Sequence, residues 1–209
     1  HTEPVQSLWG PYGPYGVHTL PLPPPGLSVS VLVREPGRLP EPQRLARVVV
    51  GDVRDPGAVS RAVEGQDAVV IILGTRDDLS TGSLGVTGRI RGIGALGVLV
   101  VLVLTGGTGA PPAFLLRPLP EVPPRLQPLT QDHSRMERIL SGSGLRCVHV
   151  LPPHIAGDKP LTGSYEVRVG AAGGGSRVIS APDLGHFLLS CLRTPQYDGQ
   201  RVYVCGQYP

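Results

Sequence analysis

Three glycines, Gly10, Gly13 and Gly16, follow a short apolar stretch running from Val5 to Trp9. Glycines spaced this way behind a strand let the backbone turn tightly and pass close to a pyrophosphate, whose charge is met by N–H groups at the start of a following helix. In a chain with 29 glycines such a triple also arises by chance, so its weight depends on what comes next. The next apolar run, VSVLVR, ends at Arg34, 18 residues after Gly16, where the group that reads an adenosine ribose normally stands. A carboxylate there accepts from a 2′-hydroxyl, whereas a guanidinium is bidentate to a phosphate. Arg34 therefore points to NADP, and Arg38 can close on the same phosphate from the other side. The alternative is a pair of solvated loop arginines, with Glu35 as a competing partner for either.

Further candidates stand where parallel strands end, the edge at which open sheets bind ligands. Asp52 and Val53 follow one apolar run, and Gly74, Thr75 and Arg76 follow another. Asp52 is suited either to accept from an adenine amino group or to form an Asx turn within GDVRDP. Gly74 permits close passage of a cofactor chain. His154 comes after Pro152 and Pro153 at a later strand end, and histidine suits proton exchange near neutral pH. It is the first candidate for a proton donor and His133 the second, each weighed against a structural role. Arg125 and Arg177 are suited to anionic groups of an acceptor, while Phe114, Leu116 and Leu126 serve as an apolar wall or as core. His149 and His186 read as packing residues.

The elements that must position these groups show themselves as short apolar runs: Val29 to Val33, Val48 to Val50, Ala68 to Leu73, Val98 to Leu104 and Cys147 to Leu151. Continuous Val/Ile/Leu runs of this length read as parallel strands covered on both faces. Tyr165 to Val169 and Val202 to Val204 add late strands at one edge. Helices are expected from Asp55 to Glu64, with Pro56 in the first turn, and from Thr130 to Leu140, with Thr130 as cap and Met136, Ile139 and Leu140 on one face. A third starts at Ser180, where Asp183 completes a capping box and Leu184, Phe187, Leu188 and Cys191 turn inward. The expectation is a single Rossmann-like domain over residues 1–209, a doubly wound parallel sheet with helices on both faces. Three stretches resist it. Residues 17–26 carry four prolines where the first helix belongs, and residues 80–97 and 105–112 are rich in glycine or proline.

Composition excludes several classes. The 209 residues carry a net charge of +3, almost all of the positive charge being arginine, with no run of like charges, so nucleic acid is not expected as partner. The chain has two phenylalanines, six tyrosines and one tryptophan, too few for a stacking platform. No apolar run reaches the ~20 residues of a membrane span, and the first residues show no basic region followed by an apolar stretch. Cys147, Cys191 and Cys205 are odd in number and widely spaced, which argues against a disulfide framework or a metal site and for a reducing compartment. A soluble, cytoplasmic protein acting on anionic small molecules is the expectation.

The segments VSVLVREPGRLP, VVVGDV, GQDAVVIILGTRDDLS, AFLL, VPPRLQPLTQDHSRM, LPPHI, PLTGSY, SRVIS and DLGHFLL together resemble the biliverdin reductase B and NADPH flavin reductase family. That family is an atypical branch of the short-chain dehydrogenase/reductase-like Rossmann proteins. The resemblance extends over residues 27–79 and 113–209 in the family's order, and is poor over 1–26, apart from the glycines, and over 80–112. It implies a monomeric cytosolic reductase passing hydride from NADPH to flavins or to biliverdin IXβ-type linear tetrapyrroles, a step of haem catabolism. It also implies that Gly10, Gly13 and Gly16 hold the pyrophosphate, and that Arg34 and Arg38 hold the 2′-phosphate. Asp52 and Val53 then lie by the adenine, and Gly74, Thr75 and Arg76 along the cofactor. Pro152, Pro153, His154 and Ile155 fall near the nicotinamide, and His133 lines the substrate side. One departure stands out: Pro111 and Pro112 occupy the place of a Thr-Ser pair, removing its hydroxyls, which Thr105 or Thr108 replace only if the loop rearranges. Two alternatives follow. One is a catalytically impaired NADP-binding or scaffold protein of the same fold; in the other, residues 1–26 and 80–112 were never shaped by selection for this fold.

Overall fold

The structure, a computed structural model, describes residues 3–9, 27–39, 45–73, 99–104, 118–170 and 176–208. In chain order these form β1 (Glu3–Trp9), β2 (Leu27–Val33), β3 (Arg47–Val50), α1 (Pro56–Val63), β4 (Ala68–Leu73) and β5 (Leu99–Leu104). They continue as α2 (Gln127–Ser141), β6 (Arg146–Leu151), β7 (His154–Ala156), β8 (Tyr165–Val169), β9 (Val178–Ser180), α3 (Ala181–Arg193) and β10 (Arg201–Gly206). The main sheet has the strand order β3-β2-β1-β4-β5-β6-β10-β8, parallel throughout except that β8 runs antiparallel to β10. A second, two-stranded parallel sheet pairs β7 with β9. The order reverses between β1 and β4, which is the topological switch point where open α/β sheets take dinucleotides.

β4, an unbroken apolar run, is buried on both faces because each face has its own helices, whereas the Val48–Val50 run, expected to be covered likewise, forms the edge strand β3, with Val48 and Val49 half-buried and Val50 exposed because no strand lies beyond it. Val69 and Ile71 of β4 pack on one face with Ala58, Val59, Ala62 and Val63 of α1 and with Met136 and Leu140 of α2. Val70 and Ile72 pack on the other with Leu184, Phe187, Leu188 and Cys191 of α3. Each such fully buried aliphatic side chain contributes roughly 1.5–3 kcal/mol, as an upper estimate. Val29, Val31 and Val33 of β2 form a third group with Leu39, Leu45 and Val48. The doubly wound parallel sheet with helices on both faces is therefore as expected, and so is the pair of late strands at one edge.

Helix ends show where local signals prevail. Asp55 caps α1, accepting from the Gly57 N–H at 2.9 Å, with Pro56 in the first turn. α2 starts three residues before the expected Thr130 cap: Pro128 sits in its first turn, and the Thr130 hydroxyl donates to the Leu126 carbonyl at 2.9 Å. The hydroxyl thus serves an interior i−4 carbonyl and not the helix start. α2 buries Leu129, Met136 and Leu140, while Ile139 is only half-buried.

Ser180 caps α3 by accepting from the Asp183 N–H at 3.0 Å. The reciprocal half of the expected capping box is replaced by a relay. The Ser180 N–H donates to the Tyr208 hydroxyl at 2.8 Å, and that hydroxyl donates to Asp183 Oδ2 at 2.8 Å. Among the described residues, no helix is long and apolar enough to cross a membrane.

Candidate functional site

The carboxyl ends of β2 and β3 lie side by side, because the register that pairs Val33 with Val50 brings Arg34 and Gly51 out of the sheet together. The Gly51 N–H donates to the Val33 carbonyl at 2.9 Å, continuing the ladder one step past the strands. Glycine is required there for close approach: a Cβ on Gly51 would fall 2.6 Å from the Cβ of Ala58 on α1. The turn that follows is drawn tight by Asp52. Its carbonyl accepts from the Asp55 N–H, and Oδ1 accepts from the Arg54 N–H at 2.8 Å, an Asx turn.

The same carboxylate gathers two guanidinium groups. Arg54 donates through Nε to Oδ1 at 3.1 Å and through a terminal nitrogen to Oδ2 at 2.9 Å. Arg34 brings a terminal nitrogen to 3.9 Å from Oδ2. The side chains of Arg34 and Arg54 are 43% and 63% exposed, and Asp52 is 27% exposed, so the cluster opens to solvent at the sheet's rim. Hydrogen bonding from Arg54 holds the Asp52 carboxyl below its usual value, against partial burial, which pushes it up; the charge of Arg34 adds to the lowering. Of the two roles open to Asp52 in the sequence, the turn is the one its Oδ1 fills, and both its oxygens also accept from a guanidinium group. Arg54 escaped sequence reasoning. The only signal was its position two residues after an Asx-turn aspartate.

Other sequence candidates fall in several places. Arg38 ends a 3-10 turn, Pro36–Arg38, closed by the Leu39 N–H on the Pro36 carbonyl at 3.1 Å. Val53, expected by the adenine, is buried with Leu32 and Ala58, where its side chain supports the turn from the core side. Leu126 is likewise buried, which removes it from an acceptor-facing wall and makes it core beneath the start of α2. Arg125 is exposed in the 3-10 turn Pro124–Leu126. Gly10, Gly13, Gly16, Gly74, Thr75, Arg76, Thr105, Thr108, Pro111, Pro112, Phe114 and Leu116 lie outside the described residues.

The Pro-Pro-His-Ile stretch follows β6. Pro152 and Pro153 are buried, His154 is exposed, and Ile155 packs against the α3-side core. The His154 N–H donates to the Arg177 carbonyl at 3.1 Å, so the β7/β9 ladder brings these two exposed residues together at one strand end. His133 is a correction. It is 2% exposed within α2, its Nε2 has no hydrogen-bond partner among the described residues, and burial pushes its pKa down to about 4. A neutral, enclosed imidazole is a core residue and not a proton donor to an acceptor. His149 is buried as expected and also pushed to about 4, by burial and then by the charge of Arg201. His186 differs from its expected packing role: it is exposed, with Nδ1 2.8 Å from the Tyr165 hydroxyl. Cys147, Cys191 and Cys205 are free and buried, and burial raises the first two thiols to about 11 and about 12.

Against known proteins, the profile of the NAD(P)H-binding family matches residues 22–195. Solved structures share the fold along nearly the whole chain at low identity. A candidate NADH-flavin reductase from Streptococcus pneumoniae has 18% identity and a TM-score of 0.69, over 98% of this chain and 100% of its own. A short-chain dehydrogenase/reductase from Veillonella parvula, in complex with NADP, has 15% identity and a TM-score of 0.71, over 98% and 94%. An anaerobilin reductase from Escherichia coli O157:H7 has 16% identity and a TM-score of 0.73, over 97% and 96%.

Proposed function

This chain belongs to the NAD(P)H-binding family, and on that premise we propose that it is a reductase using NADPH to reduce a flat, conjugated acceptor, a flavin or a biliverdin IXβ-type tetrapyrrole. The observation that carries this reading is Arg34, exposed at the carboxyl end of the strand next to β1 and lying beside Asp52. A lone carboxylate at that rim would suit a 2′-hydroxyl; a guanidinium there suits a 2′-phosphate. The donor set fits the phosphorylated dinucleotide, and hydride is the chemistry such a cofactor supplies when bound.

The chain's own residues bind, align and exchange a proton. Arg34, with Arg38 four residues on, secures the adenosine end. At the other strand end, exposed His154 is the candidate to give the proton that accompanies reduction, and Arg177 is the nearby cation for a carboxylate or phosphate of the acceptor. Reduction of a flavin needs little more than two planar systems held face to face, so the loss of a hydroxyl to Pro111 and Pro112 is compatible with turnover. The relatives named as flavin and anaerobilin reductases support this acceptor class. We take the protein to be a cytoplasmic monomer; its three buried, unpaired cysteines favour the reducing compartment.

Fluorescence titration with NADPH, followed by NADPH oxidation with FMN or a biliverdin as acceptor, tests the reading. Wild-type protein should bind NADPH more tightly than NADH and oxidise it. Arg34→Ala should lose about tenfold in NADPH affinity. Binding without turnover would replace the reductase by a scaffold of the same fold, and a preference for NADH would remove the assignment of the cofactor.

A further inference from the structure

We propose that Arg54 is a specificity-determining residue for the phosphorylated cofactor, presented by Asp52 so that its guanidinium and that of Arg34 meet one phosphate. This rests on the NADPH reading above and extends it to a residue outside the expected pair.

The turn does not need the arginine side chain. The Asx turn uses the Arg54 backbone N–H, and the start of α1 is capped independently by Asp55. Any residue but proline at position 54 supplies that N–H. What the guanidinium adds is a second cation on the carboxylate that Arg34 already approaches. Both arginines address Oδ2 of Asp52, so their nearest nitrogens are no further apart than the sum of 2.9 and 3.9 Å. Two donors held that close can each take a different oxygen of a single phosphate at charge-assisted distances of about 2.8 Å.

Charge and donor supply agree with this. One carboxylate shared by two guanidinium groups leaves the trio with a single net positive charge, and Glu35 and Asp55 are the other acids adjoining it in sequence. Of the five N–H donors on an arginine, Arg54 spends two on Asp52, leaving three to face solvent from a side chain that is 63% exposed. Asp52 thereby fixes the fork of Arg54 before any anion arrives, and less freedom is lost when one does. An unpaired arginine on the same turn would lack that orientation.

The experiment compares Kd values for NADPH, NADH, 2′,5′-ADP and 5′-AMP in the wild-type chain and in Arg54→Met, Arg54→Lys and Arg34→Met. Arg54→Met should weaken NADPH and 2′,5′-ADP about tenfold while changing NADH and 5′-AMP less than about twofold. Arg54→Lys, which keeps charge but not the fork, should fall between. The proposal is overturned if Arg54→Met leaves NADPH affinity unchanged, or weakens NADPH and NADH equally. If Arg34→Met abolishes the preference and Arg54→Met does not, the NADPH reading survives and the role of Arg54 is lost. A wild-type chain without preference removes both.

Discussion

Asp52 and Asp183 each stand beside the start of a helix, and each gathers several donors, but the donors differ in kind. Asp183 is fully buried and accepts from the Thr162 N–H, the Thr162 hydroxyl, the Gly163 N–H and the Tyr208 hydroxyl, at 2.7 to 2.9 Å. Apart from the two hydroxyls these are backbone groups with no other acceptor among the described contacts, and all belong to segments that must be tied to α3. Asp52 is partly exposed and accepts from guanidinium groups whose outer faces look into solvent. A carboxylate surrounded by neutral donors is consumed in holding the chain together; one surrounded by cations still leaves positive charge for a ligand. The difference separates a structural acid from one that organises a binding surface, although both have a lowered pKa.

The largest effect that would sharpen this contrast is at Asp183. Asp183→Ala leaves four donors without their acceptor, and urea unfolding should show a loss of about 3 kcal/mol. A loss below about 1 kcal/mol would break the comparison. The pH dependence carries the same sign: burial pushes the Asp183 carboxyl up, but bonds from Thr162, Gly163 and Tyr208 outweigh it and hold the group below its usual value. Its stabilisation is therefore complete above the unfolded carboxylate range near ~3.9 and is lost as pH falls through the folded value. Urea midpoints measured downward from pH 5 should fall less steeply in Asp183→Asn.

Next in size is Tyr208→Phe, which removes the hydroxyl linking Ser180 to Asp183 and should cost about 1–2 kcal/mol by thermal or urea unfolding. An unchanged midpoint would show that the relay adds nothing to the Ser180 cap. The smallest stability effect is expected at Asp52. Asp52→Asn should move the unfolding free energy by about 0.5 kcal/mol or less, since its ionic partners are exposed and screened. A loss like that of Asp183→Ala would mean that Asp52, too, is a structural acid.

Much of this molecule was legible in residue order. Unbroken runs such as Ala68 to Leu73 announce strands covered on both faces, and Asp55-Pro56 and Ser180-Pro182 announce helix starts, because capping is satisfied within three or four residues. The late strands at Tyr165 and Val202 were visible for the same reason. The start of α2 was misplaced because a threonine hydroxyl serves either a cap or an interior carbonyl, and only the preceding turn Pro124–Leu126, with Pro128 in the first turn of the helix, decides between them. His133 was misjudged because a histidine within a helix carries no mark of whether it faces solvent, a cleft or the core. Arg54 was overlooked because its partner's orientation depends on how β3 enters α1.

By itself, the sequence determined the alternation of strands and helices, the capped starts of α1 and α3, and the placing of an arginine after the second strand; all are local consequences of period, proline and hydrogen-bonding side chains. Only the tertiary structure decided that Arg34, Asp52 and Arg54 share one rim while His133 is enclosed. Those outcomes depend on the pairing of β2 with β3 and on what packs against α2, and strand register and helix packing are properties of contacts between segments distant in the chain.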